Sequence, residues 1–155
     1  MFLLGLITVT SFLLSVAAKI VVDHSLDHRI PLIGSFVGLE HIENPGIAFG
    51  ITFLPWLQTL FITIALCIVF WMAFHTLRKS NALRLTPYAL AFGLILGGGL
   101  ANVIDRLGDG LVTDFLQVGN FPIFNVADSC ITVGVGLLLL EIFLKGKDST
   151  KKNEK

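Results

Sequence analysis

Three aspartates lie at the borders of apolar segments, where an acidic side chain is costly and therefore informative. Asp105 ends one apolar segment, Asp114 lies in the hairpin that follows, and Asp128 begins the next. An ionised carboxylate within the hydrocarbon costs roughly 2.5–3.5 kcal/mol on insertion scales, so such residues are usually functional. Two of them within hydrogen-bond reach would hold one proton between them and form an acid/base pair.

Asp114 and Asp128 are the pair that the chain can bring together most easily. Only 13 residues separate them, and the chain must re-enter the bilayer beside the point where it left. Asp114 lies among apolar neighbours, so its carboxylate is desolvated unless a partner is close. Such a pair can polarise a water with the anion and protonate a carbonyl with the acid, which is aspartic peptidase chemistry without a metal or cofactor.

Several of these polar residues also have a purely structural interpretation. Asp128 could be a helix-start acid favoured by the macrodipole, and Asp105 with Arg106 could form a water-exposed salt bridge. Asp109, in a Gly-Asp-Gly turn, is a solvated turn residue. Asn102 is harder to dismiss, because an amide one turn inside the membrane needs a partner in the bundle.

Composition predicts a single integral membrane domain. The 155 residues are 54% hydrophobic and 14% charged, with a mean hydropathy of +0.83, whereas ordinary soluble domains are about 25% charged. The net charge is zero, so nothing indicates a nucleic-acid partner. The order and spacing of the residues offer no Ser-His-Asp or Cys-His arrangement, no metal-ligand cluster and no phosphate-binding glycine loop.

Four apolar stretches are long enough to cross a membrane as helices. We predict them at residues 2–22, 55–74, 88–104 and 125–144, followed by a basic tail at 145–155. The loop at 75–87 and the tail carry the excess of lysine and arginine. The positive-inside rule then puts both termini and loop 75–87 in the cytoplasm, and loops 23–54 and 105–124 outside.

The first apolar segment and the first outward loop each allow two interpretations. The segment could be a cleaved signal sequence, but it lacks a basic start and its apolar run is too long, so we expect a retained helix. Loop 23–54 is too apolar for a bare linker and predicts short strands or an amphipathic platform on the membrane surface. Its segment 43–50 is equally compatible with a plain turn and with a loop that presents the Asn44 amide.

Four ordered motifs resemble those of signal peptidase II, the bacterial lipoprotein signal peptidase family. They are N-x-G-x-A-F in the first outward loop, G-G-x-x-x-N-x-x-D-R ending the third helix, V-x-D-F in the hairpin and F-N-x-A-D opening the fourth helix. The matching residues, in that order, are Asn44, Gly46, Ala48 and Phe49; Gly97, Gly98, Asn102, Asp105 and Arg106; Val112, Asp114 and Phe115; and Phe124, Asn125, Ala127 and Asp128.

The resemblance implies an aspartic endopeptidase of the bacterial inner membrane, with Asp114 and Asp128 as its catalytic dyad. The enzyme would cleave a prolipoprotein on the N-terminal side of a cysteine that carries diacylglycerol. Supporting and substrate-binding positions would be Lys19, Asn44, Gly46, Ala48, Phe49, Asn102, Asp105, Arg106, Asn125 and Ala127. The implied partners are prolipoproteins, membrane lipid and the cyclic-peptide inhibitors of the family, and we expect a monomer.

One motif departs from the family pattern. The family has D-x-x-[ST]-K at the end of the first helix, where this chain has Ser15 in place of the acid, Ala18 in place of the hydroxyl residue, and Lys19. Ile47 also replaces a residue that tends to be smaller. We expect the loss of a supporting contact rather than of the chemistry. The alternatives are a small ion-coupled carrier or a non-catalytic relative that uses the same acids.

Overall fold

Long apolar helices and a small antiparallel sheet make up the described part of the chain. The computed structural model describes residues 1–46, 54–79 and 82–153, with the backbone alone for residues 82–85 and 146–153. The elements in chain order are α1 (Phe2–Ser25), β1 (Ile30–Ile33), β2 (Val37–Asn44), α2 (Pro55–Lys79), α3 (Ala82–Asp109), β3 (Val112–Val118) and α4 (Val126–Asn153).

The predicted fold class of spanning helices with a small outward sheet is confirmed. Within the described ranges, four helical stretches are long and apolar enough to cross a membrane: Phe2–Ser25, Pro55–Lys79, Thr86–Asp109 and Val126–Lys145. Most helices extend beyond the predicted spans, and α4 continues through the segment predicted as a basic tail. Hydropathy marks only the part of a helix that lies in hydrocarbon, whereas backbone hydrogen bonding continues into the polar flanks.

α3 is the central helix of the bundle. Its most apolar stretch is 72% buried, against 17% for α1 and 11% for each of α2 and α4. Adjacent glycines let other helices approach its backbone: Gly97 lies against Ser11 of α1, Gly98 against the Ala127 carbonyl of α4, and Gly99 against a side chain of α2. Small residues at such crossings are the usual means of close helix packing in lipid.

The sheet joins the two outward segments of the chain. Its described strands run antiparallel in the order β1-β2-β3, and β2 pairs with β3 from Val37↔Val118 to Asn44↔Val112. β1 and β2 arise from loop 23–54, as predicted, but β3 arises from the segment that we predicted to be only a short polar hairpin. The first residues of β3 are buried on both faces, so the strand lacks the alternating pattern that would identify it.

Gly110 turns the chain from α3 into β3. Its φ of +84° is in the left-handed region, and its N–H donates to the Arg106 carbonyl at 3.0 Å, which ends the helix. Asp109 is exposed, as predicted, and its Oδ1 accepts from the Leu111 N–H at 2.9 Å. The ends of α1 and α3, the starts of α2 and α4, and the sheet therefore lie at the same end of the bundle.

Two glycines of α4 provide a test of the packing against α3. A Cβ at Gly134 would lie 2.6 Å from the Ala91 carbonyl oxygen of α3, whereas a Cβ at Gly136 would meet nothing within 4 Å. We expect Gly134→Ala to destabilise the fold by about 1–3 kcal/mol, the usual cost of overpacking. Gly136→Ala should be neutral or stabilising, because alanine favours a helix interior.

Thermal unfolding of both variants in the same detergent measures the difference. A Gly134→Ala protein at least as stable as the Gly136→Ala protein would contradict the close approach of α3 and α4.

Candidate active site

Asp114 is buried on β3 and its carboxylate accepts two amide hydrogen bonds. Its relative exposure is 3%. Asn44, at the end of the adjacent strand β2, donates its Nδ2 to Asp114 Oδ2 at 2.7 Å. Asn125, just before α4, donates its Nδ2 to Asp114 Oδ1 at 2.9 Å. The amides replace part of the water that the carboxylate loses on burial.

Asp128 lies in the first turn of α4, where it also caps the helix. The Asp128 N–H donates to Asn125 Oδ1 at 2.9 Å, and the Asn125 N–H lies 3.3 Å from Asp128 Oδ2, which is the reciprocal arrangement of a capping box. The helix-start interpretation of Asp128 is therefore correct, but it accounts for only one of the two carboxylate oxygens. Its other oxygen, Oδ1, accepts from Asn102 Nδ2 of α3 at 2.8 Å, so the carboxylate belongs to a larger network.

Two asparagines connect the two carboxylates. Asn125 Nδ2 lies 2.9 Å from Asp114 Oδ1 and 3.2 Å from Asn102 Oδ1, and Asn102 donates in turn to Asp128. Both amide side chains are buried. The result is a continuous chain from Asp114 through Asn125 and Asn102 to Asp128, built from β3, the start of α4 and the last turns of α3.

Both acids face a single cavity of about 500 Å³. Asn44 also lines this cavity. The rest of the wall consists of residues between β3 and the second turn of α4, mostly apolar: Phe121, Pro122, Ile123, Phe124, Ser129, Ile131, Thr132 and Val133. The cavity therefore combines two carboxyl groups with a mostly apolar lining, as ligand sites commonly do.

The surroundings of Asp114 favour its protonated form. The pKa of Asp114 is raised to about 6, chiefly by burial and in addition by the nearby charge of Asp128. The hydrogen bonds from Asn44 and Asn125 and the charge of Arg106 lower the same pKa, but they do not offset the burial. One acid of the pair can therefore hold a proton near neutral pH, as acid/base chemistry requires.

Arg106 and Asp105 do not form the water-exposed salt bridge with each other that sequence reasoning left open. Arg106 is buried and donates to the Gly46 carbonyl at 2.7 Å and to the Asn102 carbonyl at 3.3 Å. Asp105 pairs with Lys19 of α1 at 3.1 Å and accepts from the Thr113 N–H at 2.9 Å. Arg106 thus contacts the segment that follows β2, whereas Asp105 contacts α1 and β3.

The remaining candidates from the sequence have varied surroundings. Gly46 donates its N–H to Asn44 Oδ1 at 2.8 Å. The backbone of the first outward loop therefore orients the Asn44 amide, which donates to Asp114. Ala127 is buried against Gly98, away from the cavity that the acids share. Ala48 and Phe49 lie outside the described residues.

Sequence reasoning missed some polar residues that join the site to its surroundings. Asp23 of α1 pairs with Lys19 and accepts from the Thr113 hydroxyl at 3.1 Å. Its spacing of four residues from Lys19 was the available signal. Gln58 of α2 donates to the Pro45 carbonyl at 2.8 Å, next to Asn44. Within the described residues, no group of three or more His, Cys, Asp or Glu side chains could hold a metal ion.

Comparison with known proteins identifies the family of this membrane chain. Residues 7–144 match the family described as Signal peptidase (SPase) II. The chain belongs to the signal peptidase II family. It is therefore an enzyme, and the family is one of aspartic peptidases.

Relatives of the signal peptidase II family cover most of the chain. The lipoprotein signal peptidase of Shouchella clausii is 39% identical over 134 residues, which are 85% of each chain. That of Chlorobaculum tepidum is 38% identical over an alignment of 156 positions, which covers 90% of this chain and 93% of the relative. A solved bacterial membrane enzyme superimposes with a TM-score of 0.78 at 28% identity, covering 98% of this chain and 92% of the other.

The titration of Asp114 in this signal peptidase II tests the electrostatics of the site. Infrared spectra of the protein in detergent should show a protonated carboxyl that ionises with a pKa of about 6 and is absent from Asp114→Asn. Asn44→Ala should raise this pKa further, because the lost hydrogen bond favours the anion. Asn120→Ala, at an exposed turn position, is the matched control and should leave the titration unchanged. An unchanged or lowered pKa in Asn44→Ala would refute the assignment.

Proposed function

We propose that this signal peptidase II removes the signal peptides of diacylglyceryl-modified prolipoproteins, with Asp114 and Asp128 as the catalytic dyad. The observation that carries the proposal is the pair of carboxyl groups in one cavity, linked through the amides of Asn125 and Asn102. The curated relatives named lipoprotein signal peptidase support the substrate class. The bond hydrolysed is the peptide bond on the N-terminal side of the lipidated cysteine.

The chemistry is direct attack by a water that the dyad activates. The Asp128 carboxylate accepts a proton from the water as the water oxygen attacks the scissile carbonyl, and the protonated Asp114 donates its proton to the carbonyl oxygen. The proton held by Asp128 then passes to the leaving amide nitrogen as the carbon–nitrogen bond breaks. Asp114 recovers a proton from the collapsing diol, so the acid forms with which the cycle began are restored.

The supporting residues act by holding these two carboxyl groups in place. Asn44 and Asn125 donate to Asp114 without a full positive charge, so they orient the acid and still allow it to hold a proton. Asn102 does the same for Asp128. Arg106 and Lys19 act further away, on the Gly46 carbonyl and on Asp105.

The apolar wall of the cavity supports a substrate that carries lipid. Phe121 and Val133 are 58% and 54% exposed, so they present apolar surface beside the acids. A diacylglyceryl chain and a helical signal peptide can both remain in the bilayer while the scissile bond reaches the dyad. The sheet at the same end of the bundle would lie over this substrate on the membrane surface.

We further infer that the chain lies in the bacterial inner membrane with both termini in the cytoplasm and the active site facing outward. The basic loop 75–87 and the lysine-rich C-terminal segment support this orientation through the positive-inside rule. The acids lie at one membrane boundary, whereas an ion-coupled carrier typically binds its ion near the midplane. We expect a monomer that cyclic-peptide inhibitors of the family block.

Neutralising either acid tests the dyad. We expect Asp114→Asn and Asp128→Asn each to lower kcat by at least about 10³-fold, since the acid and base steps are lost while the side-chain shape is kept. The assay follows cleavage of a diacylglyceryl-modified precursor by purified protein. Asp109→Asn, at an exposed position, is the matched control and should keep wild-type activity. Substantial cleavage by either dyad variant would exclude this mechanism, because the reaction would then not need the acid that was removed.

The pH dependence of cleavage should report the proton on Asp114. The pKa of this carboxyl is raised to about 6, so the group is protonated below that pH and ionised above it. Because the protonated form is the acid in the mechanism, kcat/KM should fall as the pH rises through about 6, on a limb set by the free enzyme. Asn44→Ala should move this limb to higher pH, in addition to any loss of rate. If the limb stays at the same pH in Asn44→Ala, a group other than Asp114 is responsible for the fall in kcat/KM.

A further inference from the structure

Thr113, the residue before Asp114, is tied to two helices through two different atoms. Its N–H donates to Asp105 Oδ2 of α3 at 2.9 Å, and its hydroxyl donates to Asp23 Oδ1 of α1 at 3.1 Å. Lys19 of α1 lies between these acceptors, 3.1 Å from Asp105 Oδ1 and paired with Asp23. The Thr113 side chain is buried, whereas the side chain of Asp23 is 29% exposed.

The pairing of β2 with β3 is regular from Asn44↔Val112 to Ile42↔Asp114 and becomes irregular immediately after Asp114. The register of β2 against β3 shifts between Leu39 and Ile42, and Ile42 is the partner of Asp114. An irregularity of this kind bends the strand and interrupts its ladder of hydrogen bonds. Successive side chains of a strand point to opposite faces, so anchoring Thr113 toward α1 fixes the direction in which Asp114 points.

Asp23 is the acid of α1 that completes this anchor. His41, within the irregular part of β2, lies 3.4 Å from Asp23 Oδ1, so Asp23 contacts residues of β2 and β3 as well as Lys19. Ser15, on the other side of Lys19, donates its hydroxyl to the Ser11 carbonyl of its own helix. The carboxylate beside Lys19 on α1 is therefore supplied from position 23, one turn after the lysine.

We propose that Asp23 is a positioning residue that acts through the Thr113 hydroxyl to fix Asp114 relative to Asp128. The proposal rests on the proposed function, because it assigns Asp23 a part in that reaction. Displacing a reacting group by about 1 Å can cost up to 100-fold in rate, so an indirect anchor can govern turnover. α1 thereby contributes to catalysis, although the described lining of the dyad cavity comes from β2, β3, α4 and the segment between the last two.

Two substitutions at Thr113 separate its hydroxyl from its shape. Thr113→Val keeps the branched side chain that a strand favours and removes the donor, and Thr113→Ser keeps the donor. We expect Thr113→Val to lower kcat about tenfold or more with KM changed less than about twofold. Thr113→Ser should keep most of the wild-type kcat. Both are measured on a diacylglyceryl-modified precursor, beside wild type and Asp114→Asn.

Substitutions at Asp23 test the acceptor of the same bond. Asp23→Ala should lower kcat at least as much as Thr113→Val does. The double variant should be no slower than the slower single variant, because the hydrogen bond between Thr113 and Asp23 is already absent from each single variant. Asp27→Ala is the matched control, an exposed aspartate four residues further along the chain, and should keep the wild-type kcat.

Two results would overturn the proposal while leaving the dyad intact. One is wild-type kcat in Thr113→Val together with an inactive Asp114→Asn. The other is an equal loss in Thr113→Val and Thr113→Ser with a parallel fall in melting temperature, which would make the contact merely structural. An Asp114→Asn protein that still cleaves would instead refute the proposed function itself.

Discussion

Two carboxyl groups that line one cavity repel each other when both are ionised, and in this fold the side chains that hydrogen-bond to them are neutral amides. Asn44, Asn125 and Asn102 donate to the acids at 2.7–2.9 Å. A directly paired cation would hold both acids in their ionised forms, whereas an amide orients a carboxyl and lets it keep a proton. The nearest buried cation, Arg106, donates to backbone carbonyls instead. The amide network is therefore compatible with the unequal protonation that the proposed chemistry needs.

This network requires elements that are distant in the sequence to meet within hydrogen-bond distance. Asn44 comes from β2, Asn102 from α3 and Asn125 from the start of α4. The close approach of α3 and α4 depends on backbone contact, since Gly98 lies against the carbonyl of Ala127, the residue before Asp128. The pairing of β2 with β3 then brings Asn44 to Asp114. The packing of the helices and strands therefore determines the geometry of the site.

The parts that were predictable from the sequence are those with a strong one-dimensional signal. Hydropathy identified the spanning helices because a run of about 20 apolar residues is characteristic of a membrane-spanning helix. The desolvation cost of an acid among apolar neighbours drew attention to Asp114 before any motif was considered. The order of motifs led to the signal peptidase II family, which the match over residues 7–144 confirms.

Other features had weak signals or misleading ones. β3 was missed because its first residues are buried on both faces and show no alternation. The adjacency of Asp105 and Arg106 suggested a salt bridge between them, but neighbours in a helix point about 100° apart, and each found a partner on another element. Asp23 gave only a spacing of four residues from Lys19, which is common on solvated helix faces.

The sequence by itself determined the membrane class, the spanning segments and the identity of the polar residues at the membrane boundary, because these follow from local composition and spacing. Only the tertiary structure decided which amide serves which carboxylate, how α1 is joined to the strand that carries Asp114, and how far burial moves a pKa. Those outcomes depend on distances between elements, and hydrogen bonds and charge interactions change strongly over a few ångströms that no linear pattern records.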